Sequence, residues 1–201
     1  MSSDNAPSLA LTPHPFTRCD AVRSLSVRMQ RRDAGSLFLN YVLEGDLSRI
    51  RIPVAREPSR TDELWKHTCF EAFVTAALPG YLELNFSPSG AWAAYRFQAY
   101  RAGVSAAQVS DFPRIRVQRG SQLLQLEATV SVAGLADPTR QEDPDPGAVA
   151  AGRGARLALT ARAALAAVIE LDDGTLTYWA HRHPPGRPDF HHPAGFTLEL
   201  S

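Results

Sequence analysis

Aromatic, acidic, amide and guanidinium side chains recur on closely spaced segments of this sequence. The face of a tryptophan ring stacks on the C–H face of a sugar, and carboxylate, amide and guanidinium groups make paired hydrogen bonds to neighbouring hydroxyls. This combination predicts a site that binds a small polar ligand, a saccharide or sugar derivative, without converting it. The candidate binding residues are Trp65, His67, Glu71, Asn85, Trp92, Arg96, Trp179 and His181.

The same residues also have a structural explanation. Large aromatic side chains mostly pack in protein cores, which would account for all three tryptophans. An ionisable group inside a strand is usually exposed or paired, so Glu71 and Arg96 would then form a structural ion pair. A core explanation and a binding explanation therefore both remain open for these positions.

Four histidines near the end of the chain form a second candidate site. His181 and His183 are two residues apart, so a strand presents both imidazoles on one side, and His191 or His192 can add a third from the following loop. Asp189 is the only carboxylate nearby. The pattern indicates, as an alternative function, a protein that binds a divalent metal or a metal-dependent enzyme. A rigid, proline-rich surface loop is the structural explanation, and our first expectation is that no cofactor is needed.

The cysteines suggest no chemistry of their own. Cys19 and Cys69 are too few for a disulfide framework, and we expect both to be reduced thiols. Cys69 lies between His67 and Glu71, an arrangement that invites comparison with a thiol nucleophile and its base. Residues two apart on a strand are separated by about 7 Å, which is too far for the hydrogen bond that such a nucleophile needs.

Strands must position these candidate residues. Alternate residues of a strand face opposite sides of a sheet. Three strands are predicted in close succession, over residues 65–75, 81–86 and 92–101, and they form a meander with one small apolar face and one polar, aromatic face. We assign to the polar face Trp65, His67, Glu71, Asn85, Trp92 and Arg96, with Trp179 and His181 joining from a late strand.

The rest of the chain has the same period of two. Residues 24–30 and 124–131 alternate between apolar and polar side chains. The turn Gly45-Asp46 predicts a hairpin between residues 37–44 and 47–54, and Asp172-Asp173-Gly174 predicts another. Many short strands between Gly, Pro and Asp turns, without a convincing amphipathic helix, indicate an all-β fold, an antiparallel β-sandwich.

A single domain is expected over residues 1–201, since 201 residues correspond to about one domain. Residues 1–20 contain three prolines and are predicted to be an irregular N-terminal segment. Residues 133–156, rich in Pro, Asp and Gly, are predicted to be a mobile loop. Residues 157–165 are alanine-rich, and their composition leaves helix and strand both open.

Composition and charge exclude several classes of partner. The 21 basic and 21 acidic residues cancel, so no net field attracts the protein to nucleic acid or to an anionic membrane. No apolar run approaches the roughly 20 residues of a membrane helix, and no export signal precedes the first strands. We therefore expect a cytoplasmic protein.

Two blocks of the sequence resemble a known family. Residues 64–73 with 81–92 (LWKHTCFEAF and YLELNFSPSGAW), and later residues 178–193 (YWAHRHPPGRPDFHHP), are similar to bacterial DOMON-like proteins, relatives of the family 9 carbohydrate-binding modules. The similarity covers most of the chain from about Arg23 onward. It implies a β-sandwich of immunoglobulin-like or jelly-roll type that binds a ligand without transforming it.

The resemblance also implies roles for single residues. In the sugar-binding relatives a small saccharide lies between two tryptophans, with a glutamate and an arginine nearby. Trp65 and Glu71 match this pattern, Trp179 is the natural second aromatic, and Arg96 is the nearest candidate guanidinium. From this resemblance we expect Trp65 and Trp179 to face each other across a groove.

Other members of the DOMON group bind haem through methionine and histidine. Here the only methionines are Met1 and Met29, and Met29 falls on the apolar side of its strand, so we expect no haem. A third function is open as well, a β-sandwich that binds another protein, for which an exposed apolar patch would be the sign. The sequence does not identify a protein partner.

Overall fold

The computed structural model describes residues 6–32, 35–75, 80–107, 109, 111–131 and 161–200. Within these ranges the chain is built from β-strands and three short 3₁₀ turns, Leu47–Arg49, Leu64–Lys66 and Pro193–Gly195, so the predicted all-β class is confirmed. The strands are β1 (Leu9–Pro13), β2 (Val22–Arg31), β3 (Ser36–Gly45), β4 (Cys69–Thr75), β5 (Tyr81–Phe86), β6 (Trp92–Phe97), β7 (Ser105–Ala106), β8 (Arg114–Arg119), β9 (Leu123–Ser131), β10 (Arg162–Glu170), β11 (Leu176–Ala180) and β12 (Leu198–Glu199).

The strands form two antiparallel layers that one shared strand connects. Sheet A has the order β8-β9-β3-β2-β1, and sheet B has the order β1-β11-β10-β4-β5-β6-β7, with β12 beside the start of β10. The first half of β1 pairs with β2, from Leu9 opposite Val27 to Leu11 opposite Leu25. Its end pairs with β11, where Thr12 lies opposite Ala180. The chain therefore crosses from one sheet to the other within five residues.

The main core lies between the two sheets. Sheet A supplies alternate residues, as the strict burial alternation of β3 and β9 requires. Tyr41 of β3 packs its ring against Phe70 of β4, with 5.0 Å between centroids. The hydroxyl of Tyr41 donates a 2.8 Å hydrogen bond to the backbone carbonyl of Glu71, and this bond links the two sheets. The largest fully buried side chains of this core include Trp92, Tyr41, Phe70, Phe86, Leu84, Leu126 and Leu165.

Sheet B is covered on its outer face too. Nearly every residue of β4, β5 and β6 is buried, in contrast to the alternation in sheet A. A second apolar cluster explains this, because the segment after β11 folds back over the outer face and packs Phe196 against Phe73 and Tyr81. The outer face of sheet B is therefore partly enclosed, and it holds the candidate site.

Several sequence predictions about the elements need correction. The segment 1–20 is not irregular throughout, because β1 lies within it and supplies the connection between the sheets. Residues 47–54 do not pair with 37–44. Asp46 instead accepts a hydrogen bond from the Ser48 amide and begins a 3₁₀ turn, and the partner of β3 on that side is β2.

Other predictions are confirmed by the strand pairing. The meander β4-β5-β6 and the β10-β11 hairpin both form, and Gly174 takes the positive φ of 89° that its turn needs. From Arg162 onward the alanine-rich segment is a strand, because it pairs with β4 and β11 at the centre of sheet B. The predicted mobile loop at 133–156 and residues 157–160 lie outside the described residues. In the described part of the chain, no helix has the length and apolarity to cross a membrane.

Candidate binding site

Three polar side chains lie close together on the outer face of sheet B. Glu71 of β4 is opposite Asn85 of β5, and Glu83 lies two residues before Asn85 on the same side of β5. All three are buried, Glu71 to 2% exposure. Asn85 donates from Nδ2 to Glu83 Oε1 at 2.7 Å. Glu71 Oε1 and Asn85 Oδ1 are buried without a hydrogen-bond partner among the described residues, which leaves unused hydrogen-bonding capacity at this point.

Burial changes the protonation of both acids. It raises the pKa of Glu71 well above its usual range, and repulsion from Glu83 raises it further. Burial also raises the pKa of Glu83, although the hydrogen bond from Asn85 and the charge of Arg101 oppose this shift. Glu71 is therefore the member of the pair that holds a proton more readily, and Glu83 the member that ionises more readily.

The thiol on the same face is not activated. Cys69 is fully buried beside Glu71 on β4. Burial raises the pKa of the Cys69 thiol well above its usual range, and the nearby Glu71 carboxyl adds to this. The protonated thiol is therefore the stable form, in agreement with the expectation that Cys69 is not a nucleophile.

One wall of the site is aromatic. Tyr81 stacks on Phe97 with 4.8 Å between ring centroids, and its hydroxyl lies 2.8 Å from His191 Nδ1. The same hydroxyl accepts a hydrogen bond from the backbone N–H of Arg101 at 3.2 Å, so Tyr81 connects His191 to the backbone after β6. The other ring nitrogen of His191, Nε2, lies 3.7 Å from Glu83 Oε2. Burial, with the charge of Arg101, lowers the pKa of His191 to about 4, and the ring is neutral at pH 7.

The segment after β11 is fastened to this wall by a charged cluster. Asp189 Oδ1 accepts from Arg101 at 2.8 Å and from the backbone N–H of His191 at 3.1 Å. Its other oxygen accepts from the Tyr100 hydroxyl at 2.5 Å. Burial of Asp189 acts to raise its pKa, but the hydrogen bonds from Tyr100 and Arg101 outweigh this and hold the pKa of Asp189 below its usual value. The carboxylate thus fixes the loop over the sheet.

The opposite wall is the 3₁₀ turn that precedes β4. Glu63 takes a left-handed conformation with φ 62°, and the turn closes where the His67 amide bonds to the carbonyl of Leu64. Trp65 is therefore not on a strand. Its indole is 38% exposed and meets Tyr95 edge-on with 5.8 Å between centroids.

A cavity of about 590 Å³ lies between these walls, within the size range of small-molecule sites. Its floor is sheet B, and one side opens to solvent. Its lining combines acidic, basic and aromatic side chains: Trp65, Lys66, Glu71, Glu83, Phe97, Arg101, Val104, Val168, Leu176, Tyr178, Pro188, Phe190 and His191.

The structure brings some of the predicted residues to this place. Trp65 and Glu71 line the cavity, and Asn85 supports its floor through Glu83. His67 lies at the end of the 3₁₀ turn, where its Nδ1 is 2.7 Å from Glu170 Oε2. It faces a second groove of about 570 Å³, which Arg51 and Glu170 also line.

Three predicted residues lie on the other side of sheet B. Trp92 is opposite Phe86, an inward-facing residue, and is 2% exposed in the core. Arg96 is opposite Leu82 and so shares the side of the core, away from Glu71. Trp179 is 3% exposed in the same core and donates from Nε1 to the Thr177 hydroxyl.

The expectation that Trp65 and Trp179 face each other across a groove is therefore wrong. The neighbouring Tyr178 reaches the cavity instead, because alternate residues of β11 face opposite sides.

The four C-terminal histidines are not brought together as one cluster. His181 and His183 approach the backbone carbonyls of Ala10 and Thr12, at 3.3 and 2.8 Å, beside β1. His191 belongs to the aromatic wall, and His192 accepts a hydrogen bond from the Ala194 amide at the Pro193–Gly195 turn. Among the described residues, no group of three or more His, Cys, Asp or Glu side chains is placed to hold a metal ion.

Sequence reasoning missed most of the cavity lining. Glu83 carried a usable signal, since it has the same strand parity as Asn85. Arg101, Phe190 and His191 lie after or between strands, where no periodic pattern exists. Their positions depend on the bonds to Asp189 and Tyr81.

Comparison with known proteins shows the fold. No protein-family model and no curated protein sequence matches the chain. The structure is similar to the crystal structure of a protein from Bacteroides uniformis ATCC 8492 that is provisionally named as carbohydrate-binding, with a TM-score of 0.61, 14% identity, and coverage of 98% of this chain and 87% of that one. A family 9 carbohydrate-binding module from Caldicellulosiruptor kristjanssonii, solved with glucose, gives a TM-score of 0.37 at 10% identity over 78% of this chain and 65% of that one. The likeness to the Bacteroides uniformis protein establishes a shared β-sandwich fold.

Proposed function

We propose that the cavity on the outer face of sheet B binds a small saccharide without converting it. The observation that carries the proposal is Glu71, a buried side chain that lines the cavity and has an oxygen for which the described part of the chain provides no partner. Leaving such a group unsatisfied costs about 1–3 kcal/mol, which a ligand hydroxyl would recover. A protonated carboxyl is both a donor and an acceptor, as a hydroxyl is, so the two groups are complementary.

The walls support the same ligand class. Trp65 presents a half-exposed indole at the edge of the cavity, and Tyr178 and Phe190 add aromatic surface. Apolar faces beside a few well-placed polar groups are the usual composition of a sugar site. The proposal agrees with the role named for the Bacteroides uniformis protein of the same fold. We propose in addition that the protein belongs to the DOMON-like group and acts in the cytoplasm.

Two tryptophan variants provide the test. Trp65→Ala removes an exposed indole, so we expect the melting temperature to change little and the affinity for the bound saccharide to fall about tenfold or more. Trp179→Ala is the matched control, because it removes a core indole and should cost about 3–5 kcal/mol of stability. Calorimetric titration with a panel of mono- and disaccharides measures the affinities. Binding of no sugar in the panel, or unchanged binding by Trp65→Ala, would contradict the proposal.

A further inference from the structure

The cations that line the cavity are engaged with other acids. Arg101 directs Nη2 and Nε to Asp189 Oδ1, at 2.8 and 3.2 Å. Lys66 lies 2.7 Å from Glu63 through its Nζ atom. Neither cation forms an ion pair with Glu71 or Glu83 among the described residues. In the described part of the chain, therefore, no lysine or arginine directly contacts the acids on the floor of the cavity as buried carboxyl groups normally require, and Arg101 acts on Glu83 only at longer range.

The histidine beside the floor does not supply this charge. His191 Nε2 is 3.7 Å from Glu83 Oε2, but its ring is buried between Phe73, Phe97 and Tyr81 and stays neutral at pH 7. Its other nitrogen, Nδ1, lies 2.8 Å from the Tyr81 hydroxyl. Glu83 thus receives one bond from the Asn85 amide, a 3.7 Å contact from an uncharged ring and the longer-range charge of Arg101.

Glu71 has even fewer stabilising contacts for a negative charge than Glu83 has. Its Oε1 atom has no partner among the described residues, and the charge that chiefly acts on it is the repulsive one of Glu83. A positive ligand group between the two acids would remove this repulsion and use the free oxygen. Charge-assisted hydrogen bonds of this kind are about twice as strong as neutral ones.

The walls suit a cation as well. Trp65, Tyr178, Phe97 and Phe190 line the same cavity, and the face of an aromatic ring attracts an ammonium group. A negatively charged ligand would be repelled by the Glu83 carboxylate at the floor of the cavity. The charge of the lining therefore discriminates between ligands of similar shape.

From this arrangement, and resting on the saccharide-binding function proposed above, we propose that the cavity selects a sugar that carries a primary ammonium group, held between the Glu71 and Glu83 carboxyl groups. Neutral sugars of the same size bind more weakly. Sugar acids are rejected.

Calorimetric titration at pH 7 with D-glucose, D-glucosamine, D-galactosamine and D-glucuronate tests this selectivity. We expect at least one amino sugar to bind about tenfold or more tightly than glucose, which corresponds to the difference between a charge-assisted and a neutral hydrogen bond. Glucuronate is expected to show no binding. Putrescine, a diamine without a sugar ring, is included to show whether the ammonium group alone suffices, and it should bind more weakly than the amino sugar.

Charge-neutral variants assign the effect to the two acids. Glu83→Gln keeps the shape of the side chain and removes the carboxylate that ionises more readily, so the preference for the amino sugar over glucose should fall to near unity. Glu71→Gln provides a second variant at the same floor and should weaken the preference, because it removes the partly unpaired carboxyl on the other side of the ammonium group. Glu127→Gln, on the outer face of sheet A, is the matched control and should keep the wild-type preference. Thermal melts establish that each variant is folded.

The outcomes separate this inference from the function on which it rests. Equal affinities for glucose and the amino sugars would overturn the inference and leave the saccharide-binding function standing. A preference that survives in both Glu71→Gln and Glu83→Gln would also overturn it, since the charge would then act elsewhere. Putrescine binding as tightly as the amino sugar would overturn the sugar part. If no sugar binds at all, the proposed function fails together with the inference.

Discussion

Glu71, Cys69 and His191 differ in chemistry, yet on the outer face of sheet B burial drives each of them towards its uncharged form. It raises the pKa of the Glu71 carboxyl and of the Cys69 thiol and lowers that of the His191 imidazole. The floor and one wall of the cavity therefore carry hydrogen-bonding groups with little charge of their own. The charge that remains is centred on Glu83, which Asn85 and Arg101 stabilise.

The pKa of His191 predicts how stability depends on pH. In the unfolded chain this imidazole takes up a proton near pH 6.5, and in the folded protein only near pH 4. Between these values the unfolded state binds more protons, so stability that is present above pH 6.5 is lost as the pH falls towards 4. We expect the melting temperature of the wild type to fall more steeply over this range than that of His191→Gln. Circular dichroism melts across the range measure this.

His192→Gln is the control for the loss of an imidazole from the same segment, because His192 lies at the rim and not in the aromatic wall. Parallel pH curves for the wild type and His191→Gln would contradict the prediction.

Among the elements, the segment between β11 and β12 does most to form the cavity. It has no strand pairing of its own over residues 181–192, and it is held by Asp189 through Arg101, Tyr100 and the His191 amide. The aromatic side chains of Phe190 and His191 then pack on sheet B. A single carboxylate therefore decides whether one wall of the site is in place.

Asp189→Ala is expected to release this wall. The loss of charge-assisted bonds should cost about 2–3 kcal/mol and increase amide hydrogen exchange in residues 188–192, with weaker saccharide binding. Mass-spectrometric hydrogen exchange and the titration described above measure these effects. Asp173→Ala is the matched control, since Asp173 accepts a bond from the Thr175 amide in the β10-β11 turn and does not line the cavity. Unchanged exchange in residues 188–192 of Asp189→Ala would refute the prediction.

In the whole molecule, the two sheets meet through β1, the apolar core and one buried hydrogen bond. That bond runs from the Tyr41 hydroxyl in sheet A to the backbone carbonyl of Glu71 in sheet B. It couples the packing of the core to the strand that carries the central acid of the site. The proposed binding site therefore depends on the association of both sheets, although sheet B alone forms its floor.

Tyr41→Phe measures this coupling. The substitution keeps the ring that packs on Phe70 and removes only the hydroxyl, so we expect a loss of about 1 kcal/mol in the free energy of unfolding. Urea denaturation should show a lower midpoint with an unchanged slope, because the folded and unfolded states expose the same surface as before. A stability equal to that of the wild type would show that water replaces the bond without cost.

Much of the architecture could be predicted from the sequence. The period of two along residues 24–30 and 124–131, and along 81–86, is a local property of extended chains with a buried side, and it located β2, β9 and β5. It also placed Glu71 and Asn85 on one face of the sheet. The Asp172-Asp173-Gly174 turn located the β10-β11 hairpin for a similar local reason, the positive φ that glycine tolerates.

The side that a strand presents to the core was decided only by the tertiary structure. Both faces of β6 are buried, so the hydrophobicity of its residues does not show which face points to the core. Trp92 faces the core because it pairs with Phe86, an inward-facing residue of β5. Trp179 was also assigned to the wrong side, because the alternating burial of β11 does not reveal from the sequence which of its two sides faces the core.

The sequence by itself thus determined most of the strands and placed Glu71 and Asn85 on one face of the sheet. The tertiary structure alone decided the connection through β1 and the walls formed by Arg101, Asp189 and His191. The period of two in the sequence shows only which residues of one strand share a side of the sheet. The walls instead depend on contacts between residues about 90 to 110 positions apart, whose energies appear only when the chain has folded.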